Sequence, residues 1–518
     1  MTVAMRRYLS RYLFALILMV LPGLLYWETL SERFGFRDDY SNIREAHEEP
    51  GKVIAFCTGM GRPLHGLLLE MTFKHLDGID GLRYARLAAV LSIGVLCAAM
   101  ALILELRQGW PRWPAGICAL LLGILPSAQV VVNWAICWPH ALAAALGVLA
   151  FASCDSGMRT ESAVRRVGFL AGGSLLLLAG LLIYQPNALL YAVPLASGFL
   201  SPSWTSDGKR LRWLMSHALL VCMNLLFAFI VVKALFALGV APASKRVVVE
   251  SDLLGKVQWF FSEPLDNALA LFRVEDKGNL GGGAGHFLTA LCVGSLLIGG
   301  AVHEWISRGR KAAGVWCLGA VVLMGLAYAV GLVVAERWAS YRTLYAMTGV
   351  VLVFVVRTLW SLAETRNWPT RLVGQGGMIL LLGLGIVNAA HSNDDLFIEP
   401  QRRELERVEE IAEHIDPQHG PRVFVVLPSE ADSMGELRYL DEFGSLSSDC
   451  EWCTKEMLML VLKERFPEHP DLAKKVRFAF GPTLPKNPKN YDTVVDLRVP
   501  PEVRTETQTE AQPSTPRP

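Results

Sequence analysis

The sequence predicts an all-α polytopic membrane protein of about eleven transmembrane helices, with a small extracytoplasmic α/β domain toward its C-terminal end. Three observations predict it. Of 518 residues, 52% are hydrophobic and only 19% charged, with a mean hydropathy of +0.35. A water-soluble chain of that length needs more charge to cover its surface. Apolar stretches long enough to cross a bilayer as helices recur along residues 11–390. Lys and Arg then gather in alternate connections between those stretches.

The stretches run over 11–27, 82–104, 114–131, 134–152, 169–184, 188–200, 214–238, 286–306, 313–334, 344–362 and 372–390; the sixth is short and carries Pro194. Arg6, Arg7 and Arg11 precede the first. Arg107 and Arg112, then Arg159, Arg165 and Arg166, then Lys209, Arg210 and Arg212 fall in successive alternate loops, followed by Arg308, Arg310 and Lys311, then Arg366 and Arg371. Short connections around Asn133 and Gln185 carry no cation; Arg337 and Arg342, beside Glu336, are the exception. The positive-inside rule therefore places the N-terminus in the cytoplasm and the C-terminal end outside. No small-residue cleavage site follows the first stretch, which reads as an anchor. A formal net charge of +1 excludes a basic nucleic-acid binder by bulk charge.

Between the stretches, the membrane region 1–390 leaves two long outer loops, 28–81 and 241–285. The first opens with Phe36-Arg37-Asp38-Asp39-Tyr40 and continues to Gly61-Arg62-Pro63-Leu64. From Pro63, which suits a first helical turn, Leu64, Leu67, Leu68 and Met71 take helical spacing. That predicts an amphipathic helix lying in the interface. In the second loop Leu253, Leu254, Val257, Trp259, Phe260 and Phe261 repeat the pattern before a Gly281–Gly285 hinge.

Past His391 the composition becomes that of a soluble domain, 391–500. Helices are expected over 402–414 and 455–465, and strands over 422–427, 476–480 and 493–497. The tail 501–518 is disordered by composition. Cys450 and Cys453 form the single Cys-x-x-Cys among ten scattered cysteines. A local disulfide is the default if the domain is outside. A thioredoxin-type site lacks a strand leading into the motif, and a zinc site lacks further ligands.

An acidic pair just past the first span, interfacial helices, many spans and an outer C-terminal domain together resemble the GT-C superfamily of glycosyltransferases. The nearest likeness is to the serotype-converting glucosyltransferases that decorate O-antigen. Asp38-Asp39-Tyr40, Gly61-Arg62-Pro63-Leu64 and Tyr184-Gln185 carry the resemblance, which covers residues 1–390. It implies an inverting hexosyltransferase that takes its sugar from a polyprenyl-phosphate donor and passes it to a surface glycan or lipid acceptor on the periplasmic side. No cofactor is required; adjacent acids are not an Asp-x-Asp pair, so dependence on a divalent metal stays open. Asp441-Glu442-Phe443-Gly444 also looks familiar from membrane proteins of this kind, without an assigned chemistry.

The residues fit that chemistry in stated roles. Asp38 or Asp39 can serve as general base toward the acceptor hydroxyl; a charged turn or helix cap is the plainer reading. Arg337, Arg342, Lys233 and Arg62 can stabilise the departing phosphate, against ion pairing with Glu336, snorkelling or turn stabilisation. Trp138, His140, Tyr184 and Gln185 can contact sugar or acceptor, against interfacial anchoring and helix capping. No Walker loop, dinucleotide fingerprint or zinc-protease helix occurs. A lipid-linked sugar flippase or transporter is the alternative in another class, with an O-antigen polymerase or ligase and a non-catalytic scaffold behind it. Scarce mid-span charge and the lack of internal repeats weigh against a transporter.

Overall fold

The computed structural model describes residues 3–274, 283–416, 419–428 and 442–498. The tail 501–518, Gly281, Gly282 and Asp441 lie outside them. Among the described residues, eight helices are long and apolar enough to cross a membrane, or nine if one bent pair is a single span. That corrects the expected eleven, and the reasons are local. The first stretch is an apolar helix Leu9–Leu25, too short to count among the spans. The stretch 114–131 breaks into Arg112–Leu122 and Pro126–Asn133, which meet at 49°, because Pro126 cannot donate to the preceding turn.

The fifth and sixth stretches join into one helical run, Ala163–Phe199, 37 residues long. Tyr184 interrupts it with extended backbone, φ −156° and ψ 106°, just before Pro186. The chain doubles back there. Near its start Arg166 bonds the Thr160 carbonyl at 3.0 Å. Near its far end the Pro194 carbonyl accepts from Gln108 at 2.7 Å and the Ser197 carbonyl from Trp110 at 3.2 Å. Arg107 links the two regions through the Ala152 carbonyl, 2.8 Å away. The Tyr184 turn sits at the other end, where Gln185 Nε2 donates to the Gly61 carbonyl at 2.6 Å.

The last long helix, Trp368–Glu413, has 46 residues, so it extends about 69 Å, more than twice a hydrocarbon core of about 30 Å. A π-turn at Asp394–Ile398 carries it without interruption from the bundle into the C-terminal domain. That domain holds three parallel strands, β1 (Arg422–Val426), β2 (Arg477–Gly481) and β3 (Thr493–Asp496), in the order β2-β1-β3. Val423 pairs with Phe478 on one side and Thr493 on the other. Helix Glu451–Arg465 supplies the crossover between β1 and β2.

The domain shares its core with the first long loop. Tyr40, Ile43, Val53, Leu69 and Phe73 from the loop pack with Leu405, Val408, Val423, Val425 and Met457. The loop folds into helices Asp38–Glu48, Lys52–Gly59 and Pro63–Phe73. In the last of these the inward stripe is His65, Leu69 and Phe73, while Leu67 and Met71 face outward; the apolar side read from sequence is therefore partly the exposed one. In the second loop, helix Leu253–Ser262 likewise exposes Leu253, Leu254, Val257 and Phe261.

Gly147 permits the hairpin at Tyr184. A Cβ there overlaps the Ala188 carbonyl oxygen and lies 3.1 Å from the Tyr191 nitrogen. Gly147→Val is expected to destabilise the bundle by about 1–3 kcal/mol or more through overpacking. The check is the monodisperse fraction of detergent-extracted protein in size-exclusion chromatography, against Gly168→Val, an exposed helix position with open space around an added Cβ, as control.

Candidate functional site

The face that carries the C-terminal domain is organised by Asp39. Its carboxylate is fully buried and accepts from the backbone N–H of Phe36 at 3.0 Å, Ile136 at 2.9 Å and Ala135 at 3.4 Å. Two of those donors belong to the turn after Pro126–Asn133, so the side chain ties the first loop to the bundle. Arg86, also buried, lies over the Phe34 ring at 3.5 Å and donates to the carbonyls of Phe34, Thr29 and Asn133. Burial pushes the Asp39 carboxyl up to about 7, against the pull of Arg86 and the backbone donors. Asp39 is thus a clamp, and its oxygens are engaged.

Asp38 differs. It opens helix Asp38–Glu48 and is half-buried. The preceding Arg37 takes φ +44°, a left-handed conformation that favours glycine. Two contacts hold it there: its N–H donates to Ser447 Oγ at 2.9 Å and its guanidinium pairs with Asp449 at 2.9 Å. Asp38 and Arg62 both act electrostatically on Cys57, whose burial pushes the thiol up to about 12.

Around Asp39 the fold gathers most of the other sequence candidates. Arg62 sits 4.5 Å from the centroid of Tyr184, which stacks on His140 at 3.6 Å; His140 in turn lies 4.8 Å from His65. Arg342 sits 4.4 Å over Trp134 and 3.9 Å from the Cys137 sulfur. Among the described residues Arg62 pairs with no carboxylate. Burial lowers its affinity for a proton, and the neighbouring Arg342 lowers it further. Burial takes His65 down to about 3, with Arg62 and Arg342 adding to the effect, so its ring is neutral. Buried and without a partner among the described residues are Arg62 Nε, His65 Nδ1, Trp134 Nε1, Trp138 Nε1 and both nitrogens of His140. Such groups are costly to leave unbonded and are rare in native proteins.

The structure does not bring every candidate here. Arg337 pairs at the surface with Asp252 at 2.9 Å and Glu250 at 3.4 Å, a partner choice made by the second loop. Lys233 projects from the exposed side of helix Asp207–Ala237, its ammonium 5.3 Å from the Phe229 ring. Cys450 and Cys453 are free thiols, not a disulfide. Cys450 precedes helix Glu451–Arg465, and the hydrogen bond from Cys453 holds its thiol below the usual range.

Sequence reasoning missed Trp134 as a cation platform and His65 entirely. Spacing carried the second signal, since His65, Leu69 and Phe73 recur every fourth residue. It also left Glu442 without a role. That buried carboxylate accepts from the N–H of Tyr341 at 2.8 Å and Arg342 at 3.3 Å, capping helix Tyr341–Ala363. Phe443 packs edge-on against Tyr341 and Phe397. No protein-family model matches the chain, and no curated protein matches it.

Asp39→Asn removes one acceptor oxygen and sets an amide against a backbone N–H, an expected loss of about 1–3 kcal/mol. The folded carboxyl holds a proton up to about 7 whereas the ordinary value is 3.8. The folded state therefore binds more protons between those values, and this group's contribution is largest at the acid end and declines as pH rises toward 7. Thermal unfolding midpoints measured from pH 4 to about 7 should show that decline in wild type and in Asp38→Asn, and a flattened profile in Asp39→Asn.

Proposed function

We propose that the protein is a membrane glycosyltransferase that moves a hexose from a polyprenyl-phosphate donor to a surface glycan or lipid acceptor, on the face that carries the C-terminal domain. The observation that carries the reading is the concentration of Arg62, Arg342, Tyr184, His140, His65 and two indoles around one loop that also presents an aspartate. Placement of that face outside, in the periplasm of an inner membrane, is supported by the cation-rich connections at the opposite end.

Each provision of the transfer has a group to supply it. Asp38 takes the proton of the acceptor hydroxyl as its oxygen bonds the anomeric carbon. The bond from that carbon to the phosphate oxygen breaks, and the phosphate leaves as an anion, so it needs cations more than a general acid. Arg62 and Arg342 are the cations. Arg62 lies over the Tyr184 ring with a buried Nε that has no partner among the described residues, and a guanidinium can bond phosphate bidentately. The neutral His65 and His140, with the indole N–H groups, are placed to bond sugar hydroxyls. Exposed Leu67 and Met71 on Pro63–Phe73, with Leu253 and Leu254 on Leu253–Ser262, give an isoprenoid chain apolar surface at the edge of the site.

With purified protein and a labelled polyprenyl-phosphate hexose, sugar should leave the lipid. Asp38→Asn should reduce transfer by about 10²–10⁴-fold at unchanged abundance, and Arg62→Ala by about 10²–10³-fold, chiefly in kcat. Lys233→Ala and Arg337→Ala should retain activity. Sugar that stays on a lipid carried intact across the bilayer would instead identify a flippase, and wild-type activity in Asp38→Asn would remove the assigned base.

A further inference from the structure

A second polar site lies at the end of the bundle away from the C-terminal domain. A cavity of about 240 Å³ opens there between the ends of four membrane helices and the short connection 200–206. Arg107, Arg159 and Lys209 line it together with the hydroxyls of Ser203 and Thr205 and the Trp204 indole, and no carboxylate lines it.

The floor is fixed and the rim is cationic. Ser201 Oγ donates to the Gln108 carbonyl at 2.6 Å, Gln108 Nε2 to the Pro194 carbonyl at 2.7 Å, and Trp204 Nε1 to the Gly198 carbonyl at 2.8 Å. Arg159 is steadied by Asp155 at 2.8 Å, a fully buried carboxylate that also accepts from Trp213 at 3.1 Å. Lys209 is exposed and makes no ion pair among the described residues. The flanking helices Ala163–Ala188 and Asp207–Ala237 expose Leu175, Met215 and Leu219. A headgroup seated in the cavity can therefore keep its acyl chains against apolar surface.

We propose that this cavity binds a phosphate-bearing anion, presented as the headgroup of an anionic phospholipid. Three lining cations, one of them steadied by Asp155, the Ser203 and Thr205 hydroxyls and the lack of a carboxylate among the lining residues match a phosphodiester. Basic pockets between membrane helices at the cytoplasmic surface are suited to such headgroups. The inference does not depend on the sugar-transfer reading.

Native mass spectrometry of the full-length protein, titrated with phosphatidylglycerol, phosphatidylcholine or inorganic phosphate, tests it. Phosphatidylglycerol should be retained about tenfold more tightly than phosphatidylcholine. The preference should fall about fivefold in Lys209→Gln and further in Lys209→Gln with Arg107→Gln. Both side chains are exposed, so the packed floor is untouched; if the double variant does not fold, Ser203→Ala with Thr205→Ala serves instead. Displacement of the lipid by millimolar inorganic phosphate, with the same dependence on Lys209, would support the anion site with free phosphate as its source. Equal retention of the two lipids by wild type overturns the proposal. So does an undiminished preference in a double variant whose unfolding midpoint matches wild type.

Discussion

The Asp39 carboxylate is the joint on which the domain-bearing face depends. A buried charge is tolerated only when hydrogen bonds and an opposite charge replace its hydration. Here three backbone N–H groups do so, two of them from the turn at Ala135 and Ile136. Arg86 completes the arrangement by bonding backbone carbonyls on both sides of the same seam. The carboxylate bonds backbone and not side chains, so it fixes the path of two chain segments. Trp134, Cys137 and Trp138 are positioned by one of them; Asp38 and Tyr40 by the other.

That seam makes the first loop and the C-terminal domain a single layer. The long helix rises from the bundle without a break, and its upper part packs Leu405 and Val408 against Ile43 and Phe73. Glu442 reaches back from the domain to cap Tyr341–Ala363, and so sets where Arg342 begins its helix. Phe36, Trp134, Phe397 and Phe443 join loop, bundle and domain through edge-to-face contacts. A chain boundary at residue 391 is thus a change of composition and not a change of packing unit.

How much of this was legible follows from the range of the interactions. Apolar helices declare themselves locally, and the strands and helices of the C-terminal domain fall within a few residues of their sequence pattern. The break at Tyr184 showed in the sequence only as a gap between two stretches, which the structure joins into the one run Ala163–Phe199. The bend at Pro126 has a local cause in that proline, whereas the continuity of Trp368–Glu413 was not legible, since it is settled by what the helix packs against. The site divided in the same way. Arg62, Tyr184 and His140 lie far apart in sequence and meet only because Gly61 accepts from Gln185 and Gly147 lets the hairpin close. Arg337 and Arg342 are five residues apart and look alike in sequence. Glu250 and Asp252, from a remote loop, engage the first and leave the second facing Trp134.

The adjacent aspartates show why neighbouring residues of one type take different roles. At the start of a helix, successive side chains point about 100° apart, so the two carboxylates meet different surroundings: Asp39 is buried and Asp38 half-buried. The left-handed Arg37, held by Ser447 and Asp449, fixes which is which. Asp39 is committed to backbone donors, and Asp38 stands on the segment whose path Asp39 fixes. In the proposed transfer, a carboxylate that meets a hydroxyl at hydrogen-bond distance would gain from such a support, because small displacements of a reacting group are costly in rate. The buried residue therefore acts through position: its backbone hydrogen bonds fix the segment on which its neighbour stands.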